Sequence, residues 1–477
     1  MENNVMKAQL NKKDIDQIKL LIEKKQPLIW DVLNKKDKEK VFQFSERYKQ
    51  FLTISKTERE AAKYIINEAE AHGFVNIDKD KEGGEKFYKL YHNKAVALCV
   101  YGSDNIQNGL KIIGSHIDSP RLDLKQNPLY EELDMALMKT HYYGGIKKYH
   151  WLARPLAIHG TVITRDGNNI NIVMGENNSE PVFSISDLLP HLAKSQATKK
   201  LSDAFEGEKL NIIVGSLPLG NDKIKERFKL SILHYLHEKY NMTEADFISA
   251  EIEVVPSGPA LDVGFDRSLI GGYGQDDRVC VFTSLEAILE TEKPKQTAVA
   301  LFFDKEEIGS EGNTGAKSRF FEDFISDVLE KRKFESNERI LRKILLNSQM
   351  LSADVNAGIE PDFQDVHEKR NAARLGYGVC ITKFTGTGGK SGASDASAEF
   401  VGKIRGLFDD NSIVWQTGEL GKVDQGGGGT ISKYLATYGM DIVDCGPALL
   451  SMHSPFEISS KADVFMTYKA YKAFYKA

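Results

Sequence analysis

The chain has 477 residues, of which 41% are hydrophobic and 27% charged, enough for two or three domains that each bury a core. A formal net charge of −5 argues against the basic face of a general nucleic-acid binder. No run approaches the roughly 18–20 apolar residues that cross a bilayer, and the polar stretch Met1 to Asp14 lacks the apolar core of a signal peptide, so a cytoplasmic protein free of membrane is expected.

Residues 1 to about 75 read as helices. Thr57-x-x-Glu60 is a capping box, Ala61 to His72 is amphipathic, and Gly73 stands where a C-cap glycine belongs. Val96 to Tyr101 and Leu110 to Gly114 are short apolar runs of the kind that form buried strands. From about 120 the texture turns to β. Gly160 to Thr164 and Ile170 to Met174 flank Asp166-Gly167 as a hairpin, Val182 onward and Leu210 to Val214 add short segments, and the block ends near Glu251 to Pro256. Strand and helix then alternate: an amphipathic helix from Asp277 to Thr291, an apolar strand from Thr297 to Phe303, strand ends at Met350 to Ala353 and Ile442 to Val443, and a terminal helix from Ala462 to Lys476. The expected organisation is one α/β domain made of residues 1–119 and 256–477, interrupted by a β-rich insertion at 120–255.

The cysteines, Cys99, Cys280, Cys380 and Cys445, share no CxxC spacing, which points to reduced, buried thiols. Chemistry concentrates instead at the ends of the apolar runs. His116-Ile117-Asp118 follows Leu110 to Gly114, where open α/β sheets bind ligands; a metal-ligating imidazole held by Asp118 competes with an ordinary loop histidine. Asp304-Lys305-Glu306-Glu307 follows Thr297 to Phe303, as acids gathered round a cation or as a solvated turn. Asp277 is placed to cap its helix, leaving Asp276 free to face a cleft. Asp354 ends an apolar strand, and His453 lies near the C-terminus. Taken together, two imidazoles and several carboxylates at element junctions make a nitrogen and oxygen donor set suited to zinc, manganese or cobalt. Asp276, Glu307, Asp354 and a hydroxide would balance two divalent ions, with Asp276 bridging them.

These motifs resemble those of the aspartyl aminopeptidase and vacuolar aminopeptidase I family of dinuclear metallopeptidases. The matching segments are Gly114-Ser115-His116-Ile117-Asp118-Ser119-Pro120, Gln275-Asp276-Asp277, Phe303 to Glu311, Ser352-Ala353-Asp354 and Ser451-Met452-His453-Ser454, in the family's order. The resemblance implies an α/β/α metallopeptidase domain with a mixed sheet and an inserted dimerisation domain at 120–255, dimers assembling into a dodecamer. It implies that Asp276 bridges both metals, that His116 and Asp354 complete one site, and that Glu307 and His453 complete the other. Glu306 would be the general base and Asp118 the residue that holds His116. The activity implied is removal of N-terminal residues from peptides with a free N-terminus, through a water bridging the two ions.

The loop Gly386 to Ser394 has no Tyr, and Ala357 stands three residues after Asp354 where the acid-preferring branch has His, so the chain resembles the bacterial aminopeptidase I branch. Lys383 and Lys390 read first as surface lysines that could still attract an acidic side chain. Gly389-Lys390-Ser391 resembles the end of a phosphate-binding loop, but Phe384 stands where that motif needs Gly. Gly426 to Gly429 offers backbone N–H groups to a substrate, or simply a flexible loop, with Asp424 beside it. His191 in the inserted block reads as structural, with reach into a neighbouring protomer as the alternative. GxSxG is absent, and His237-Glu238 and His367-Glu368 each lack the second His of HExxH. A scaffold that keeps the fold but has lost catalysis is the alternative function; the presence of every implied ligand and of Glu306 speaks against it.

Overall fold

The computed structural model describes residues 11–23, 26–80, 83–334 and 337–477. Most of the polar stretch Met1 to Asp14 lies outside these residues. The continuous apolar runs become strands buried on both faces, because helices cover them on either side and leave no solvent face to alternate toward. Among the described residues the largest sheet has nine strands. Their spatial order is Val75–Asn76, Lys86–Tyr91, Ala95–Val100, Ala298–Phe303, Lys111–His116, Gln349–Ser352, Asp441–Gly446, Val379–Thr382 and Trp415–Thr417. The central four, from Ala298–Phe303 to Asp441–Gly446, run parallel, and both neighbours of that group are antiparallel to it. Helices Lys35–Ile54, Glu58–Ala71, Gln275–Leu289, Ala398–Asp410 and Lys461–Lys476 cover one face, and Phe320–Lys331 and Glu338–Leu346 the other. This is the mixed-sheet α/β/α architecture expected.

Local signals in the first segment hold. Thr57 Oγ1 accepts from the Glu60 N–H at 3.2 Å and Glu60 Oε2 accepts from the Thr57 N–H at 3.1 Å, closing the capping box. Helix Gln275–Leu289 departs from its amphipathic reading: all of its residues are buried. It runs between the sheet and the helices Lys35–Ile54 and Lys461–Lys476, and its Glu286 reaches Arg47 at 2.6 Å. Phe282 sits at the centre of this layer, 5.3 Å from Phe44, 5.4 Å from Tyr48 and 5.6 Å from Phe51 between ring centroids. Phe282→Ala is expected to cost about 3–5 kcal/mol, read as a lowered midpoint in chemical denaturation.

A second, antiparallel sheet has the order Asn169–Met174, Leu156–Ile163, Ala250–Pro256, Arg121–Glu132, Met135–Tyr143 and Ile212–Gly215. Its hairpin closes where the Gly167 N–H donates to the Thr164 carbonyl at 2.9 Å, and Gly167 itself takes the left-handed φ of 80° that glycine adopts readily. Val182 onward makes only isolated bridges, Phe183 to Leu156 and Ser184 to Ile213. The block also contains a 14-residue helix, Arg227–Tyr240, which the β reading passed over. Its Phe228, Ile232, Leu236 and Tyr240 pack on this sheet with helical spacing.

A third, five-stranded sheet was not anticipated. It joins Leu261–Val263, Leu269–Gly272, Glu457–Ser460, Ala448–Leu450 and Asn356–Ala357. These strands lead into Gln275, flank His453 and follow Asp354. Pairing them by hydrogen bonds therefore draws three chemistry-bearing segments, distant in sequence, to one place.

Candidate metal centre

Register puts the singled-out residues on one level. Phe303 pairs with His116 and Ser352 with Gly114, so Glu306, Glu307 and Asp354 all lie just beyond the carboxyl ends of adjacent parallel strands. Gly274, with a φ of 75° that a side chain rarely adopts, turns the chain into helix Gln275–Leu289 and presents Asp276 there. The Asp276–Asp277 peptide bond is cis.

The five residues converge. The two oxygens of Asp276 face different imidazoles, Oδ1 3.2 Å from His116 Nε2 and Oδ2 3.1 Å from His453 Nε2. His453 Nε2 is also 3.6 Å from Glu307 Oε2. Donor atoms of His116, Asp276 and Glu307 lie within 4.8 Å of one another, as do those of His116, Asp277 and Asp354. Ligands about 2.0–2.2 Å from one tetrahedral cation sit about 3.4 Å apart, so these separations suit shared cations. Glu307 Oε1 and Asp277 Oδ1 are buried without a hydrogen-bond partner, as ligand oxygens facing an ion would be.

Asp277 does not cap its helix. Its Oδ2 accepts from the His116 N–H at 3.3 Å, and the helix start has no side-chain cap. Asp118 is buried and holds the site from behind. Its Oδ1 lies 3.2 Å from His116 Nδ1, and its two oxygens accept from the Glu306 and Glu307 N–H groups at 3.1 and 3.2 Å. Glu457 escaped the sequence reading. Its Oε2 accepts from the Asp276 N–H at 3.1 Å and its Oε1 from the His453 N–H at 2.8 Å, tying two segments together. No motif surrounds it; in Phe456-Glu457-Ile458 a charged residue reads as the solvent side of a strand.

The electrostatics are those of acids crowded away from water. Burial, then the Asp276 charge, pushes Glu307 well above the usual carboxyl range, and burial with the Asp277 charge does the same to Asp354. Burial raises Glu306 to about 7. Burial would lower His453, but its contact with Asp276 and the Glu307 charge outweigh this and lift it to about 11. Burial opposes ionisation of Asp118 too, yet contact with His116 and Tyr143 keeps it below the ordinary value. Divalent cations among these acids would relieve the crowding.

A cavity of about 440 Å³ opens on the site, lined by His116, Asp276, Glu306, Glu307, Asp354 and His453. Gly426, Gly427, Gly428 and Gly429 line it as well. Asp424 is not one of the lining residues. Lys390 does line it, but its ammonium lies 3.2 Å from Asp395 and 3.9 Å from the Phe384 ring centroid, and Lys383 reaches the same Asp395 at 3.0 Å. A lysine so engaged is not arranged as a phosphate-loop lysine. His191 is exposed in the short turn Pro190–Leu192, outside these groups.

A mixed-sheet α/β/α domain with imidazoles and carboxylates gathered beyond its parallel strand ends defines a metallo-hydrolase. Residues 51–475 match the family described as Aminopeptidase I zinc metalloprotease (M18), and the chain belongs to that family of aminopeptidases. The probable M18 family aminopeptidase 1 of Clostridium acetobutylicum is 49% identical over 451 residues, 93% of this chain and 97% of that protein. The Thermotoga maritima counterpart is 48% identical over 445 residues, 93% and 98% of the two chains. The crystal structure of an M18 aminopeptidase from Thermotoga maritima superposes with a TM-score of 0.92 at 46% identity, covering 95% of this chain and all of that one. At 20% identity the Saccharomyces cerevisiae mApe1 dodecamer shares the fold, with a TM-score of 0.73 over 90% of this chain and 96% of its own. No helix among the described residues is long and apolar enough to cross a membrane.

Proposed function

We propose that the chain removes single residues from the free N-terminus of peptides at a centre of two divalent metals, zinc by preference, with manganese or cobalt able to replace it. The observation that carries this reading is the pair of Asp276 oxygens, each facing a different imidazole at 3.1–3.2 Å. Asp276 would be shared between the ions, His116 and Asp354 would hold one, and Glu307 and His453 would hold the other. When bound, the ions polarise the scissile carbonyl and acidify the attacking water. Glu306 takes a proton from that water and returns it to the leaving amine, and its place in the cavity lining beside His116, Asp276 and Glu307 suits both transfers. Asp118 keeps the His116 ring oriented. The Gly426 to Gly429 run that lines the cavity offers backbone N–H groups to the peptide.

Residues 120–255 are the dimerisation domain in this reading, and the protein is a cytoplasmic homo-oligomer built from dimers. The support is the separate six-stranded sheet, the dodecamer of the yeast relative, and exposed apolar side chains on this block: Leu133, Leu188, Leu189, Leu192 and Leu217.

Chelation followed by add-back tests the function. Turnover of aminoacyl chromogenic substrates is expected to vanish with chelator and return with zinc, manganese or cobalt, while peptides acetylated at the N-terminus remain uncut. A stable assembly that binds no metal and cleaves nothing would establish the scaffold instead.

A further inference from the structure

The last residue of strand Met135–Tyr143 and the two glycines that follow it reach into the candidate metal centre. Tyr143 ends strand Met135–Tyr143, and its hydroxyl donates to Asp118 Oδ2 at 2.8 Å. That carboxylate is the one that touches His116 Nδ1 and accepts the Glu306 and Glu307 N–H groups. Two residues on, the Gly145 carbonyl lies 2.8 Å from His453 Nδ1. The carbonyl accepts the Nδ1 proton, so Nε2 is the nitrogen that would face a cation held beside Asp276. Between them Gly144 has a φ of 72°, and a Cβ at that position would lie 3.3 Å from Glu307 Cβ and 3.4 Å from its Oε2. A side chain there would be strained and would press on Glu307.

Tyr143 is itself held from the sheet side. The Arg121 guanidinium lies 3.9 Å from its ring centroid. Arg121 is fixed in turn by Asp123 at 2.8 Å, Glu253 at 3.2 Å and Glu58 at 3.5 Å. Asp123 and Glu253 belong to strands of the same sheet, and Glu58 to a helix of the α/β domain. The tyrosine thus stands on a buried charge network that joins the two domains.

We propose that Tyr143-Gly144-Gly145 is a positioning segment through which the six-stranded sheet sets both imidazoles and the seat of Glu307, with Tyr143 acting through Asp118. The inference rests on the metal reading above. A buried carboxylate that orients a ligating imidazole needs its remaining lone pairs satisfied. Tyr143 supplies one of those hydrogen bonds, and it comes from outside the domain that carries the ligands. The metal centre is therefore finished by a residue at the edge of the second sheet.

Tyr143→Phe in the full chain tests this, with Co²⁺ as the probe. Loss of an outer partner of a ligating histidine typically weakens metal binding about 10–100-fold. Y143F is expected to show a loss of that size in Co²⁺ titration, an altered Co²⁺ absorption spectrum, and a lower kcat at nearly unchanged KM. A purely structural tyrosine would lower the denaturation midpoint and leave the Co²⁺ spectrum as it was. In a cycle with Asp118→Asn, the double variant should bind Co²⁺ no worse than D118N alone. If Y143F fails to fold by circular dichroism, Tyr143→Met, which fills much of the space without a hydroxyl, takes its place. Wild-type Co²⁺ affinity and spectrum in the variant, or additive losses in the cycle, overturn this proposal alone. A wild-type chain that takes up no Co²⁺ overturns the metal reading and this one with it.

Discussion

Glu306→Gln is expected to lower kcat about 10²- to 10⁴-fold while leaving metal content and oligomer size as they are. The amide keeps the size of the side chain but can neither take the water's proton nor pass one to the leaving amine. The Glu306 backbone N–H still donates to Asp118, so the loop that seats Glu307 keeps its anchor. The measurement pairs steady-state turnover with elemental analysis of the same preparation. Full activity in E306Q would remove Glu306 from its role, and metal loss alongside inactivity would make it a ligand.

Asp276→Asn should act differently, by emptying the centre. Each Asp276 oxygen faces its own imidazole, so one substitution disturbs both halves. An amide nitrogen offers hydrogens to a cation where an oxygen offered a lone pair, and the variant also lacks the bridging negative charge. Metal content is expected to fall from about two divalent ions per chain to well below one, and turnover to the level of chelated protein. His453→Ala supplies the contrast: it removes a donor from one half only, so about one ion should remain. Equal stoichiometry in D276N and wild type would show that Asp276 does not bridge. The Asp276 N–H bond to Glu457 is a backbone contact and survives the change, so misfolding is not the expected route to either loss.

Much of the site was legible because its residues sit where apolar runs stop. His116 ends a buried strand, and the acids after Phe303 and Asp354 each follow one; a chemically functional group at or just beyond the end of such a strand is visible in one dimension. Other features were not. Glu457 looks like a solvent-side strand residue, yet it is buried and ties Asp276 to His453. Tyr143 ends a strand of the inserted block, with no motif to mark it. Asp277 satisfied the local rule for a helix cap and was drawn instead to the His116 N–H, a contact across more than a hundred residues. Helix Gln275–Leu289 carries Arg, Asp and Glu, which suggested a wet face; packing on both sides buried that face and paired Glu286 with Arg47.

By itself the sequence determined the alternation of strands and helices, the interruption of the α/β domain by a β-rich block, and the inventory of donors. These depend on local propensity and on periodicity within a few turns of chain. Only the tertiary structure decided which donors share a cation-sized space, through the register of the parallel strands and the five-stranded sheet that draws 269–272, 356–357 and 448–460 together. It also brought Tyr143, at the end of a strand of the second sheet, to Asp118, and the carbonyl of Gly145 to His453. Those relations are pairings between distant segments, set by hydrogen-bond register and burial, and no local pattern encodes them.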